Sequence, residues 1–189
     1  MSSHARADRP DQGFTLIEVC VALIFLAITL SVVAQLFVVS LAAQDGARVQ
    51  SMTTVLASHK IEALRALVWT VDENGQPRSD RTTDLSFEPA TAGGSGLGAS
   101  PVDALDVNTP GYVDFLDARG AWVGTGSSPP PRARYIRRWC IRPLPEDPFD
   151  AVVLQVLVTT VITDRHAPTP RRRLSNDALV VTVRTRKAH

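Results

Sequence analysis

The chain has 189 residues, 44% of them hydrophobic and 21% charged, with a formal net charge of +1. That is the composition of an ordinary globular protein of one modest domain with extra segments, and it sets aside the strongly biased compositional classes. The near-neutral total hides an asymmetry: residues 44–131 hold 6 Lys/Arg against 11 Asp/Glu, a net of −5, whereas residues 132–189 hold 12 against 5, a net of +7. Such a split marks either contact with a nucleic acid or anionic surface, or pairing of opposite charges between adjacent strands; pairing is the expectation.

Residues 1–13 form a hydrophilic leader in which Arg6 and Arg9 balance Asp8 and Asp11. From Phe14 to Ala43 the only charged residue is Glu18, and the run contains no Gly and no Pro. Thr29, Ser31, Gln35 and Ser40 are its later polar residues. A bilayer core needs roughly 20 residues of helix, so this run is long enough to span one. A helix is the natural spanning structure, because hydrocarbon offers no partner for free backbone groups. A secretory signal peptide fits poorly: its apolar region is roughly 7–15 residues behind a positive start, although Ser40-Leu41-Ala42 would pass as a cleavage site. A plain signal anchor leaves Glu18 unexplained, save for snorkelling to the interface. A carboxylate in a spanning helix costs roughly 2.5–3.5 kcal/mol at the helix centre, so something must answer its charge.

The helical pattern continues past the apolar run. On a wheel, Val49, Met52, Leu56, Ala57, Ile61, Leu64, Leu67 and Val68 share one half, and Ser51, Ser58, Glu62 and Arg65 lie opposite. Lys60 falls inside the apolar arc and must snorkel or pair. One helix from about Phe14 to Val68, about 80 Å long, is predicted; the alternative is two helices with a break near Asp45-Gly46. The turn cluster Asp72–Pro77 is predicted to end the helix. Tyr112–Phe115 and Ala121–Val123 flank Asp117–Gly120 and read as a hairpin. Tyr135–Ile141 is a strand with poor alternation, and Ala151–Thr163 is the clearest strand, with Val152, Leu154, Val156, Val158 and Ile162 on one face. Leu179, Val181 and Val183 repeat that pattern. The Gly/Ser composition of residues 90–101 and the Pro-rich end of 124–131 predict a flexible loop and a stiff connector. The fold class is therefore α+β: an antiparallel sheet of about four strands laid on the apolar stripe of a long N-terminal helix. The organisation is a leader (1–13), a transmembrane helix (14–43), its amphipathic continuation (44–70) and a β-sheet domain (71–189). Cys20 lies in the apolar run and Cys140 in the sheet domain, so no intramolecular disulfide is expected.

The hexapeptide Gly13-Phe14-Thr15-Leu16-Ile17-Glu18, ahead of the apolar run, resembles the class III leader of type IV pilins and type II secretion pseudopilins. The resemblance implies cleavage by prepilin peptidase between Gly13 and Phe14 and N-methylation of Phe14. It implies that Glu18 attracts the Phe14 ammonium of a neighbouring subunit during assembly, which would answer the costly charge. It also implies a bacterial inner-membrane protein, with a short cytoplasmic leader and a periplasmic C-terminal domain, that enters a pilus or pseudopilus beside other pilins. Tyr135-Ile136-Arg137-Arg138-Trp139, followed by a Val-rich strand, is similar to the corresponding region of PilV-type minor pilins. Where major pilins usually carry a helix-breaking Pro this chain has Gln35, and where they often carry Gly it has Ala27; both departures favour a minor subunit. PilV-type subunits and the I-type minor pseudopilin of type II secretion share these features.

Chemical motifs are absent from the sequence. His4, His59, His166 and His189 have no partners at metal-ligand spacing, and there is no Cys-x-x-Cys, nucleophile elbow or phosphate loop. Asp45, Asp72 and Glu73 read as solvated turn acids. The expectation is no enzyme, no cofactor and no metal. One cluster needs weighing: Arg132, Arg134, Arg137, Arg138 and Arg142 surround Tyr135 and Trp139, and Arg171, Arg172 and Arg173 follow. Arg134, Arg137, Arg138 and Arg142 are the candidate patch for an anionic ligand or a nucleic-acid strand. The favoured alternative puts Tyr135 and Trp139 in the core, with the Arg stems covering the sheet.

Overall fold

The structure is a computed structural model that describes residues 15–165 and 176–186. The chain falls into two units, residues up to Asp45 and residues from Gly46 onward. Helix α1 (Leu16–Ala66) is 51 residues long and passes through Gly46 without a break. The single-helix expectation is met among the described residues, with the C-terminal end two residues short of Val68. Among the described residues α1 is the one helix long and apolar enough to cross a membrane.

In the second unit α1 buries Thr53, Leu56, Ala57, Lys60, Ile61 and Leu64. Spacings of three and four place these on one face. Each buried Leu or Ile contributes roughly 1.5–3 kcal/mol of transfer free energy. Val68 departs from the expected stripe: it is 47% exposed, because the helix has already ended. The bulky run Val68-Trp69-Thr70-Val71 favours extended backbone. The last-turn carbonyls of Leu64 and Leu67 accept from the Arg184 guanidinium at 3.3 and 2.7 Å and so are not left unsatisfied.

β1 (Trp69–Val71) and β2 (Pro77–Ser79) form a ribbon. The turn cluster expected to end the helix is the tip of this hairpin. Asp72 Oδ1 accepts from the backbone N–H groups of Asn74 and Gln76 at 2.9 and 2.8 Å, an Asx-type closure. A second ribbon pairs β3 (Thr83–Asp84) with β4 (Thr91–Ala92). It draws the Gly-rich loop into the fold, where Leu97 is buried. A Cβ on Gly94 would lie 2.3 Å from the Asp84 Cα, so only glycine permits that approach. Composition points to a flexible segment; the close backbone contact explains the glycine instead.

The main sheet has five strands in the order β6-β5-β7-β8-β9, all antiparallel. They are β5 (Val113–Leu116), β6 (Trp122–Gly124), β7 (Tyr135–Leu144), β8 (Asp147–Thr160) and β9 (Ala178–Thr185). The expected four or so become five because every strand candidate finds a place. The β5–β6 hairpin closes as expected: Asp117 Oδ1 accepts from Arg119 N and Ala121 N at 2.8 and 2.9 Å. Gly120 at the tip has φ 83°, and a Cβ there would meet Met52 Cε at 2.8 Å.

Register decides which side each strand shows to the helix. The pairs Trp139↔Val156, Ile141↔Leu154 and Val156↔Val180 put Trp139, Ile141, Leu154, Val156 and Val180 on the side of Leu56, Ile61 and Leu64. Val152 and Val158 are buried on that side as well, as the alternation of β8 requires.

In β9 the side facing the helix is therefore Ala178, Val180, Thr182 and Arg184. The expected face, Leu179, Val181 and Val183, points the other way, and Val181 and Val183 are about half exposed. The apolar alternation is real, but pairing with β8 selects the other set. Ile162 also leaves its expected face. Strand β8 stops at Thr160, whose Oγ1 accepts from Thr163 N at 3.1 Å, and α2 (Val161–Arg165) follows with Thr160 as its cap. The opposite side of the sheet holds a smaller core of Val113, Phe115, Ile136 and Val161. Beyond the end of β5, Ser100 takes up β7, donating its N–H to Ile141 O at 3.0 Å and its hydroxyl to Cys140 Sγ at 3.0 Å. Both cysteines are free thiols, Cys20 exposed and Cys140 buried.

Candidate functional site

The described part of the first unit is a bare stretch of helix α1 from Leu16 onward. Every described residue from Thr15 to Asp45 is exposed, including Leu16, Leu36 and Phe37. Its hydroxyls are internally satisfied: Thr29 Oγ1 donates to Phe25 O at 2.9 Å and Ser31 Oγ to Ala27 O at 2.8 Å, so they present little polarity to an apolar environment. Glu18 is different. Thr15 precedes the first helical residue, and Glu18 N–H donates to Thr15 O at 3.1 Å and reaches Thr15 Oγ1 at 3.4 Å. The Thr-x-x-Glu spacing is that of a capping box, in which the Glu carboxylate would return to the Thr N–H. That return bond is not made: among the described residues the Glu18 carboxylate has no partner. Gly13 and Phe14, the expected processing positions, lie outside the described residues.

The second unit holds a buried charge cluster. Asp114, on β5, is 0% exposed. It is gripped by Arg137 on β7, with Nε to Oδ1 at 2.9 Å and Nη2 to Oδ2 at 2.8 Å, and by Lys60 Nζ to Oδ2 at 2.7 Å. Lys60 Nζ also donates to Leu85 O and lies 4.0 Å from the Trp139 ring centroid, a cation–π contact. Arg137 Nη1 donates to Leu56 O at 3.3 Å, and Glu88 Oε2 lies 3.6 Å from Nη2. The cluster ties the helix to two strands and is closed off from water, so it is a fastening rather than a reaction centre. The sequence marks Lys60 as needing a partner; the signal it hides is Asp114, the lone acid within Tyr112-Val113-Asp114-Phe115-Leu116.

Burial pulls the Lys60 amine down to about 8, against the Asp114 carboxylate that holds it up. Between pH 8 and the unfolded value near 10.5 the unfolded chain binds more protons than the folded one, so stability rises with pH across that window. Urea midpoints of the full chain in detergent micelles should increase from about pH 7.5 to about 9.5 relative to those of Lys60→Met. Parallel pH dependences of the two proteins would exclude Lys60 as the source.

The four arginines singled out in the sequence do not form one surface. Arg137 and Arg138 are adjacent on β7 and therefore face opposite sides of the sheet; each is 2% exposed. Arg138 pairs with Asp164 at 2.8 Å and donates to Asn108 Oδ1 at 2.9 Å. Arg142 is exposed and donates to Val102 O at 2.6 Å, and Arg134 is exposed. Tyr135 and Trp139 are in the core, as favoured, but Arg137 is buried beside them rather than covering the sheet. Arg171, Arg172 and Arg173 lie outside the described residues. Among the described residues no three His, Cys, Asp or Glu converge as a metal site would require. The chain matches no protein-family model, no curated protein and no solved structure.

Proposed function

We propose that the chain is a minor pilin-like structural subunit, without enzymatic activity, that assembles through its N-terminal helix into a type IV pilus, with a tip or initiation role, or into the related pseudopilus of type II secretion. The observation that carries this reading is the unpartnered Glu18 carboxylate one turn into a bare apolar helix. In this reading prepilin peptidase removes residues 1–13, and the new Phe14 ammonium of one subunit pairs with Glu18 of the next. The exposed apolar side chains of α1 then pack against other pilin helices, or lie in the inner membrane before assembly. The rival reading, a nucleic-acid-binding module, is weakened because Arg137 and Arg138 are already paired with internal carboxylates.

Mass spectrometry of the mature chain tests the reading. A terminus at N-methylated Phe14 is expected; an intact Met1 or a start at Ala43 overturns it.

A further inference from the structure

The main sheet has two unlike edges. At one, β6 is three residues long, and the β5–β6 register shifts at Phe115/Leu116. Trp122 of β6 is also covered: its indole N–H donates to Ser86 O at 2.9 Å, and its ring lies 5.7 Å from that of Phe87. Short, bulged and covered edges resist pairing with other chains. At the other edge, β9 is eight residues long with no Pro and no Lys, and it pairs with β8 from Ala151 to Val158 without a register shift.

Register shows which groups of β9 are free. Arg186 N–H donates to Asp150 O at 2.8 Å. That pair is therefore a hydrogen-bonded one, and bonded and non-bonded pairs alternate along an antiparallel ladder. Ala178, Val180, Thr182 and Arg184 turn their backbone groups to β8, so Leu179, Val181, Val183 and Thr185 turn theirs to the free edge. Among the described residues nothing hydrogen-bonds to those outward groups. The same four residues carry their side chains on the side of the sheet away from α1, where Val181 and Val183 are 50% and 53% exposed. Val153, paired with Val183, continues that apolar strip.

We propose that the β9 edge takes up an extended strand of another protein by β-augmentation. The strand supplies backbone donors and acceptors to Leu179, Val181, Val183 and Thr185, and its apolar β-branched side chains widen the Val181–Val183 strip. A second copy of the chain is the wrong occupant. Thr53 Oγ1 donates to Asn176 O at 3.2 Å, and Leu64 O and Leu67 O accept from Arg184, so α1 and β9 run in the same direction. Two copies joined antiparallel through β9 would point their α1 helices in opposite directions, which the proposed function, with every copy anchored in one membrane, does not allow. A closed parallel pair fails too: it sets each residue beside its own counterpart, out of step with the slanted bonds of a parallel ladder. The choice of occupant rests on the filament reading; the free edge does not.

Fluorescence polarisation of the full chain in detergent micelles, with empty micelles as the blank, tests it. The probe is a fluorescein-labelled peptide with the sequence of residues 177–186, which carries no anchor and is free to pair antiparallel. All four outward-facing residues of β9 find partners when peptide Val181 lies opposite Val183 and peptide Leu179 opposite Thr185. Saturable binding is expected. N-methylation of the peptide at Val181 and Val183 removes two edge donors and should weaken binding about tenfold or more. N-methylation at Val180 and Thr182, whose N–H groups point away from β9, should leave it unchanged. Val181→Pro in the protein should also abolish binding while keeping the β8 ladder, because the lost N–H faces the free edge; an unchanged urea midpoint checks that the fold is kept. Equal binding of the two methylated peptides, undiminished binding to Val181→Pro, or no saturable binding overturns the proposal. So does concentration-dependent dimerisation of the full chain that Val181→Pro abolishes, which would give the edge to a second copy. Peptide binding is read independently of the mature N-terminus, so its failure leaves the processing test untouched.

Discussion

Asp114→Ala is expected to destabilise the sheet unit by about 3–5 kcal/mol, the cost of leaving buried charge without its counter-charge. The size follows from the geometry. Asp114 is fully buried and is the shared anion of two cations, Lys60 and Arg137, which are 4% and 2% exposed. Removing it leaves both cations in a low-dielectric setting, with only Glu88, 3.6 Å from Arg137 and half exposed, to offset them. Replacing the whole cluster by apolar residues of similar volume, as in Lys60→Met with Asp114→Leu and Arg137→Met, should recover most of the loss. Urea unfolding of the full chain in detergent micelles reads both effects. A loss below about 1 kcal/mol for Asp114→Ala would place the cluster among exposed ion pairs.

The second large effect concerns assembly. Glu18→Ala should leave membrane insertion and processing intact but abolish detectable incorporation into filaments. Glu18→Gln separates charge from helix capping, because glutamine also serves at that position of a capping box. If charge pairing is the role of Glu18, Gln fails as Ala does; if capping is the role, Gln restores incorporation. Immunoblotting of sheared filaments against whole-cell levels measures this. Normal incorporation of both variants would remove Glu18 from the assembly mechanism.

Much of the secondary structure is legible in the chain because it rests on local patterns. The helix spacing of Leu56, Ala57, Ile61 and Leu64 and the alternation of Val152, Leu154, Val156 and Val158 both reflect burial on one face. Local signals fail where distant partners decide the outcome. Leu179, Val181 and Val183 form a plausible inward face, yet the pairing of Val180 with Val156 turns them outward. Arg137 and Arg138 look like one basic patch, but strand alternation separates them and Asp114 and Asp164 occupy them. The Asp72–Pro77 segment reads as a turn, but not as the tip of a ribbon, because the strand that follows it is only three residues long.

Residue type and spacing along the chain suffice for the long apolar helix, its single early carboxylate, the α+β class and the need of Lys60 for a partner. Strand register, the side each strand shows to the helix and the role of Asp114 as shared counter-ion emerge only in the folded chain. Those depend on contacts between residues far apart in sequence, where the energy of burial and charge pairing is settled by which partner arrives rather than by local preference.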